Sequence, residues 1–168
     1  MWKIQTFVRE RAFGENEDHP ECRAIKAALR REIEALCDAG VIRYLTGAAA
    51  GVDMWCGEIV LELIAEGRDI ALIAVVPFRT QDAKWSAKNK KRYAAILEKC
   101  SKVLVLSEDF HKDCYLERNT YLVEHAKYIL AMPDYSDQSG SGTRQTISLA
   151  KKNGNTLIYA SAKDQAAS

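Results

Sequence analysis

The sequence has 168 residues and 18.8 kDa, the size of one domain, so a second full domain is not expected. Its 24 Lys and Arg nearly balance 23 Asp and Glu, and a net charge of +1 gives no global field that would hold nucleic acid or a membrane surface. With 48% hydrophobic and 28% charged residues, the composition is that of a globular protein and excludes a disordered one.

The first half of the chain alternates helical and strand patterns. Apolar residues at three- and four-residue steps predict an amphipathic helix over residues 21–37, followed by a strand over 41–45. A second helix is predicted over 52–66, after a turn of small residues. The continuous apolar run 70–76, closed by Pro77, is typical of a parallel strand buried on both faces.

The second half continues the alternation. Helices are predicted over 83–100, 116–126 and 143–152, and strands over 103–106, 128–132 and 156–159. The lysine-rich face of the 83–100 helix is interpreted as a solvated surface. The whole pattern predicts a Rossmann-like three-layer α/β fold with a mostly parallel sheet, in a single domain over 1–160 with a flexible tail over 161–168.

Two loops share one design, in which a strand ends, small residues turn sharply and a helix begins. They comprise residues 46–51 and 139–143. Free backbone N–H groups at a helix start favour an anion, and glycine lets a phosphate approach the main chain. Both loops are expected at the carboxyl edge of the sheet, where open α/β folds bind ligands. The alternative is two tight turns that cap their helices, with Asp53 and Thr143 as helix-start residues.

A larger set of residues, in order along positions 21–159, resembles the YpsA-like branch of the SLOG superfamily. The set comprises Thr46, Gly47, Gly51, Val52, Asp53, Trp55, Glu58, Pro77, Phe78, Gln81, Trp85, Arg92, Tyr93, Arg118, Asn119, Tyr121, Gly142, Thr143 and Thr146. The resemblance implies a Rossmann-like fold, often oligomeric, that binds nucleotides or nucleotide-derived small molecules.

The start of the chain departs from this pattern. Such proteins usually carry Thr-Gly-His-Arg after a first strand, whereas this sequence has Val8, Arg9, Glu10 and Arg11, of which Arg11 alone matches. The added bulk and carboxylate predict weaker ligand binding. Alternatively, residues 1–10 form an edge strand remote from the crevice.

The superfamily also contains cytokinin-activating phosphoribohydrolases, whose Gly-Gly-x-Gly-Thr-x-x-Glu loop resembles residues 139–146. Arg118 stands where their arginine would, but Thr146 replaces their glutamate. Cleavage of an N-glycosidic bond needs a carboxylate, for which Asp53 or Glu58 is a candidate substitute.

The remaining candidates are interpreted structurally. Trp85 and Tyr93 are assigned to the core in preference to base stacking, and Cys56 to packing. The five cysteines are too widely spaced for a zinc knuckle and are expected to be reduced, and three scattered histidines predict no metal site. The polar start and the charges within every apolar run predict no signal peptide, no membrane segment and a cytoplasmic location.

Three functions follow from these residues. The first is binding or sensing of a nucleotide-derived, phosphate-bearing small molecule, without a cofactor, catalytic residue or nucleic-acid partner. The second is a nucleoside monophosphate hydrolase, and the third is a homodimer module with a vestigial crevice. The predicted ligand-binding residues are Arg11, Thr46, Gly47, Gly51, Asp53, Glu58, Pro77, Gln81, Arg118, Asn119, Gly140, Ser141, Gly142 and Thr143.

Overall fold

The structure is a computed structural model, and it describes residues 2–4, 17–132 and 141–162. The helices are α1 (Pro20–Asp38), α2 (Val52–Ala65), α3 (Ala87–Lys99), α4 (Cys114–Glu124) and α5 (Ser141–Asn153). The strands are β1 (Trp2–Ile4), β2 (Arg43–Thr46), β3 (Ala71–Val76), β4 (Lys102–Val105), β5 (Tyr128–Ala131) and β6 (Thr156–Tyr159). Strands and helices alternate as predicted.

Within the described residues, the strands form one six-stranded sheet in the order β4-β3-β2-β1-β5-β6, and every neighbouring pair is parallel. From β1 the chain builds outward through β2, β3 and β4, then crosses to the other side of β1 to add β5 and β6. The strand order therefore reverses between β1 and β5. This arrangement confirms the predicted Rossmann-like architecture.

Helices cover the sheet on both faces. The main core joins α1, α2 and α3 to sheet residues such as Tyr44, Leu72 and Leu130. The alternate residues Leu45, Val75 and Ile129 point the other way, toward α4 and α5. Because successive side chains of a strand lie on opposite faces, the buried strands are apolar on both sides.

Helix boundaries follow local capping. Pro20 opens α1 after His19, whose Nδ1 accepts a hydrogen bond from the Glu21 amide at 3.3 Å. The α3 helix was predicted from residue 83, but the structure begins it at Ala87. Ser86 is its N-cap, with Oγ accepting from the Asn89 amide at 3.3 Å, and the preceding residues form turns.

The first strand corrects one sequence-based alternative. Residues 2–4 do not form an edge strand, because β1 pairs with β2 on one side and β5 on the other. At the other terminus, Ala162 packs against the main core, while 163–168 lie outside the described residues.

Candidate functional site

Apart from Glu58, the predicted site residues that the structure describes lie at the carboxyl edge of the sheet. Strands β1 to β6 are parallel, so the segments that follow β2, β3 and β5 leave the sheet at this same edge. Pro77 follows β3 and is buried there. The α5 helix also begins at this edge, beside the point where the strand order reverses. Arg11 and Gly140 lie outside the described residues.

The loop of residues 46–51 binds an anion of its own, the Asp53 carboxylate. Asp53 is fully buried, and its Oδ1 accepts from Thr46 Oγ1 at 2.8 Å and from the Gly47 amide at 3.3 Å. Its Oδ2 accepts from the Ala49 amide at 3.0 Å. At these amides the geometry favours the turn-and-cap alternative over direct phosphate contact.

Gly51 ends this loop because the backbone there has a positive φ, which glycine adopts readily. It is the residue preceding α2 and has φ +99°, a backbone conformation that side chains with a Cβ rarely adopt. The glycine therefore sets the direction of α2 and brings Asp53, in the first turn of that helix, back beneath the loop.

Gly47 is the meeting point of three segments of the chain. Its carbonyl oxygen accepts from Gln81 Nε2 at 3.1 Å and from Arg118 Nη1 at 3.2 Å. Asn119 holds the same guanidinium, because its Oδ1 accepts from Arg118 Nε at 2.9 Å. A Cβ on Gly47 would lie 1.9 Å from Arg118 Nη1, so this close approach requires glycine. Thr46, Gly47, Asp53, Gln81, Arg118 and Asn119 thus form one buried polar cluster.

The cluster carries one buried charge of each sign. Burial raises the pKa of the Asp53 carboxyl, while the nearby Arg118 guanidinium and the hydrogen bonds from Ala49, Thr46 and Gly47 oppose that increase. Burial lowers the pKa of Arg118, and the Asp53 carboxylate opposes the decrease. Each charge therefore makes the burial of the other less unfavourable.

The first turn of α5 carries the described residues of the second predicted loop. Gly142 is half-buried, Thr143 is buried, and Ser141 is the first residue of the helix. Thr146, which replaces the phosphoribohydrolase glutamate, is buried and donates from Oγ1 to the Gly142 carbonyl oxygen at 3.0 Å. This i→i−4 hydrogen bond satisfies the buried hydroxyl group within the helix.

Glu58 lies in a different cluster. Its carboxylate makes two hydrogen bonds with Arg92, from Nε at 2.7 Å and from Nη2 at 2.6 Å. Glu17 also accepts from Arg92, and from Trp55 Nε1 and Lys26 Nζ. These contacts join the start of α1 to α2 and α3, and within the described residues Glu58 makes its hydrogen bonds with Arg92 rather than with the Gly47 cluster.

The packing assignments of Trp85, Tyr93 and Cys56 are confirmed. Trp85 and Tyr93 pack edge to face with ring centroids 5.2 Å apart, and Tyr93 belongs to the core. Cys56 is buried, and all five cysteines are free thiols. Residues 17–132 and 141–162 contain no cluster of His, Cys, Asp or Glu suited to a metal ion. In the same part of the chain, no helix is long and apolar enough to cross a membrane.

Sequence reasoning missed two aromatic residues at this edge. Phe110 follows β4 and Tyr115 lies in the first turn of α4, and both are exposed. Neither belongs to an apolar repeat, so periodicity gave no signal for them. The one available signal was the position of Tyr115 three residues before Arg118, which places the two on the same face of a helix.

Comparison with known proteins agrees with the motif residues. A family model described as the YspA SLOG family (YpsA) matches residues 12–162. The UPF0398 protein of Bacillus thuringiensis strain Al Hakam is 27% identical over 144 residues, which cover 84% of this chain and 77% of that protein. The UPF0398 protein of Bacillus cereus strain AH820 is also 27% identical over 144 residues. The family match begins after Arg11, so the segment that departs from the motif lies outside it.

Proposed function

Because the chain belongs to the YspA SLOG family, we propose that its sheet edge binds a phosphate-bearing nucleotide at the reversal point between β1 and β5. The observation that carries this proposal is the start of α5 at that point. Crevices at such reversals are the usual ligand sites of open α/β sheets, because the flanking connections leave toward opposite faces.

The first turn of α5 supplies the chemistry for the phosphate. A helix N-terminus presents unpaired backbone N–H groups and a partial positive charge, and both favour a phosphate oxygen. Gly142 has no side chain to keep a ligand from the main chain. The Thr146 hydroxyl donates to the Gly142 carbonyl oxygen, so it does not compete with a ligand for the main-chain N–H groups of this turn.

Arg118 acts from behind the crevice. Its side chain is fully buried and donates to Gly47 and Asn119, so we assign it a positioning role in addition to its positive charge. Arg118 holds the 46–51 loop, while the Asp53 carboxylate accepts hydrogen bonds from two of that loop's amides. In this proposal α5 contacts the phosphate, and the Gly47 cluster keeps the adjoining wall rigid.

The contacts of the candidate catalytic side chains fit ligand binding better than hydrolysis of the ligand. Both carboxylates that the sequence offered for N-glycosidic cleavage are engaged elsewhere, Asp53 by its own loop and Glu58 by Arg92. Thr146 donates its hydroxyl proton to the main chain. A ligand-binding role, as in a sensor, needs none of these groups as an acid or a base.

The test is calorimetric titration with AMP and with ribose 5-phosphate. Gly142→Val places a branched side chain at the start of α5, and we expect it to abolish binding of both compounds without unfolding the protein. Ser148→Val, at an exposed position of the same helix, is the matched control and should bind as the native chain does. Equal affinities in native protein and Gly142→Val would refute the site. Absence of binding by the native chain would favour the vestigial crevice.

A further inference from the structure

Three aromatic rings stand together at the carboxyl edge of β3 and β4. Phe78 is buried just after β3, and its ring lies 5.4 Å from that of Phe110 and 5.8 Å from that of Tyr115, centroid to centroid. The interplanar angles are 75° and 83°, so both neighbours pack edge to face with Phe78. We name these three residues the aromatic wall.

The outer rings of the aromatic wall are open to solvent. Phe110 is 63% exposed and Tyr115 is 42% exposed. An edge-to-face pair uses at most one face of each ring, so the contact with Phe78 leaves ring surface available. Burial of these rings would be favourable, and the described part of the fold leaves them exposed.

The aromatic wall adjoins the polar cluster around Gly47. The Arg118 guanidinium carbon lies 5.9 Å from the centre of the Tyr115 ring, and Arg118 Nη1 donates to the Gly47 carbonyl oxygen at 3.2 Å. One side chain therefore connects the exposed rings to the loop that forms part of the candidate crevice.

Polar and charged side chains border the aromatic wall and limit its size. Arg79, next to Phe78, makes two hydrogen bonds of 2.7 and 2.6 Å with Glu108. His111, next to Phe110, lies 2.9 Å from Glu117. A protein interface needs about 800 Å² on each partner with an apolar centre, whereas three rings within a charged border match one small planar molecule.

We propose that the aromatic wall stacks against the base of the bound nucleotide, an inference that rests on the proposed function. Ring faces bind planar heteroaromatic groups, and they do so with any base because every base has a π face. The phosphate would then bind at α5, and the base would lie toward β3 and β4 against Phe110 and Tyr115. Trp85 and Tyr93, the aromatic residues noted in the sequence, pack against each other in the protein interior.

The experiment compares AMP with ribose 5-phosphate, which has the same sugar and phosphate but no base. The native chain should bind AMP more tightly than ribose 5-phosphate. Phe110→Ala and Tyr115→Leu should each weaken AMP binding roughly 5- to 100-fold, in line with stacking on a single ring, and leave ribose 5-phosphate binding unchanged. GMP should respond in the same way as AMP.

Ile42→Ala is the matched control. Ile42 is 56% exposed and precedes β2 at the opposite edge of the sheet, so its truncation should alter neither affinity. If both aromatic variants, shown to be folded by circular dichroism, keep the native AMP affinity, the inference is wrong and the proposed function stands. Equal native affinities for AMP and ribose 5-phosphate would also overturn it. If neither compound binds, both proposals fail.

Discussion

Replacement of Gly47 by alanine tests the packing of the site most severely. The new Cβ would lie 1.9 Å from Arg118 Nη1, 2.7 Å from Arg118 Cζ and 2.9 Å from Asp53 Oδ2. Real carbon contacts are never this short, so the guanidinium must move. Arg118 is fully buried and Asn119 holds its Nε, which leaves the side chain little room to move.

The magnitude follows from two contributions. Overpacking of a dense interior costs about 1–3 kcal/mol, and loss of a hydrogen bond from a charged donor costs about 1.5–3 kcal/mol. Since the contributions overlap, we expect Gly47→Ala to lower the free energy of unfolding by about 3 kcal/mol. For a chain of this size that is a decrease of roughly 6–12 °C in Tm.

Gly57→Ala is the matched control. Gly57 lies in α2, and a Cβ there would be 3.6 Å from its nearest neighbour, Thr46 Oγ1, an ordinary contact. Alanine in a helix interior is favoured over glycine by roughly 0.5–1 kcal/mol, so this variant should be as stable as the native chain or slightly more stable.

Urea unfolding of both variants measures the difference. Arg118→Met removes the guanidinium, and in that background the cost of Gly47→Ala should fall by at least about 1 kcal/mol, because the two changes share one contact. If Gly47→Ala unfolds at the same urea concentration as Gly57→Ala, the close approach of Arg118 to Gly47 is wrong.

Two further predictions concern acid stability and catalysis. Burial alone would raise the pKa of Glu17, but hydrogen bonds from Lys26 and Arg92 outweigh it and lower the value from 4.5 to about 2. Glu17 therefore stabilises the fold above pH 4.5 and loses that effect as the pH falls toward 2. Glu17→Gln should cost at most about 3 kcal/mol at pH 7, while Glu98→Gln, at an exposed position, should change little. A gap between Glu17→Gln and native protein that persists at pH 2 in urea unfolding would contradict this. For catalysis, we expect no release of adenine from AMP by chromatography, and turnover lost on Arg118→Ala would restore the hydrolase alternative.

The sequence predicted the fold well because its signals are local. Apolar spacing and helix-stop residues located every helix and strand from α1 to β6 to within a few residues. The start of α3 was misplaced because Trp85 continues the apolar pattern, although Ser86 carries the stronger capping signal. Strand β1 has three residues, too few for periodicity to show, and its central place depends on pairing with β2 and β5.

The site was less predictable because its contacts join distant parts of the chain. The glycines of the 46–51 loop predicted a phosphate there, but Asp53 accepts hydrogen bonds from that loop's amides instead. This contact depends on the direction that α2 takes after Gly51. Glu58 follows Asp53 by five residues, about 140° around the helix, so its separation from Asp53 was predictable. Its contact with Arg92 was not predictable, because Arg92 lies 34 residues farther along the chain.

A crystal structure of the native chain grown with AMP tests the central claim most directly. Phosphate oxygens should lie within about 3.2 Å of the main-chain nitrogens at the start of α5, that of Gly142 included. A phosphate bound at any other place on the protein, with the first turn of α5 free of ligand, would contradict it.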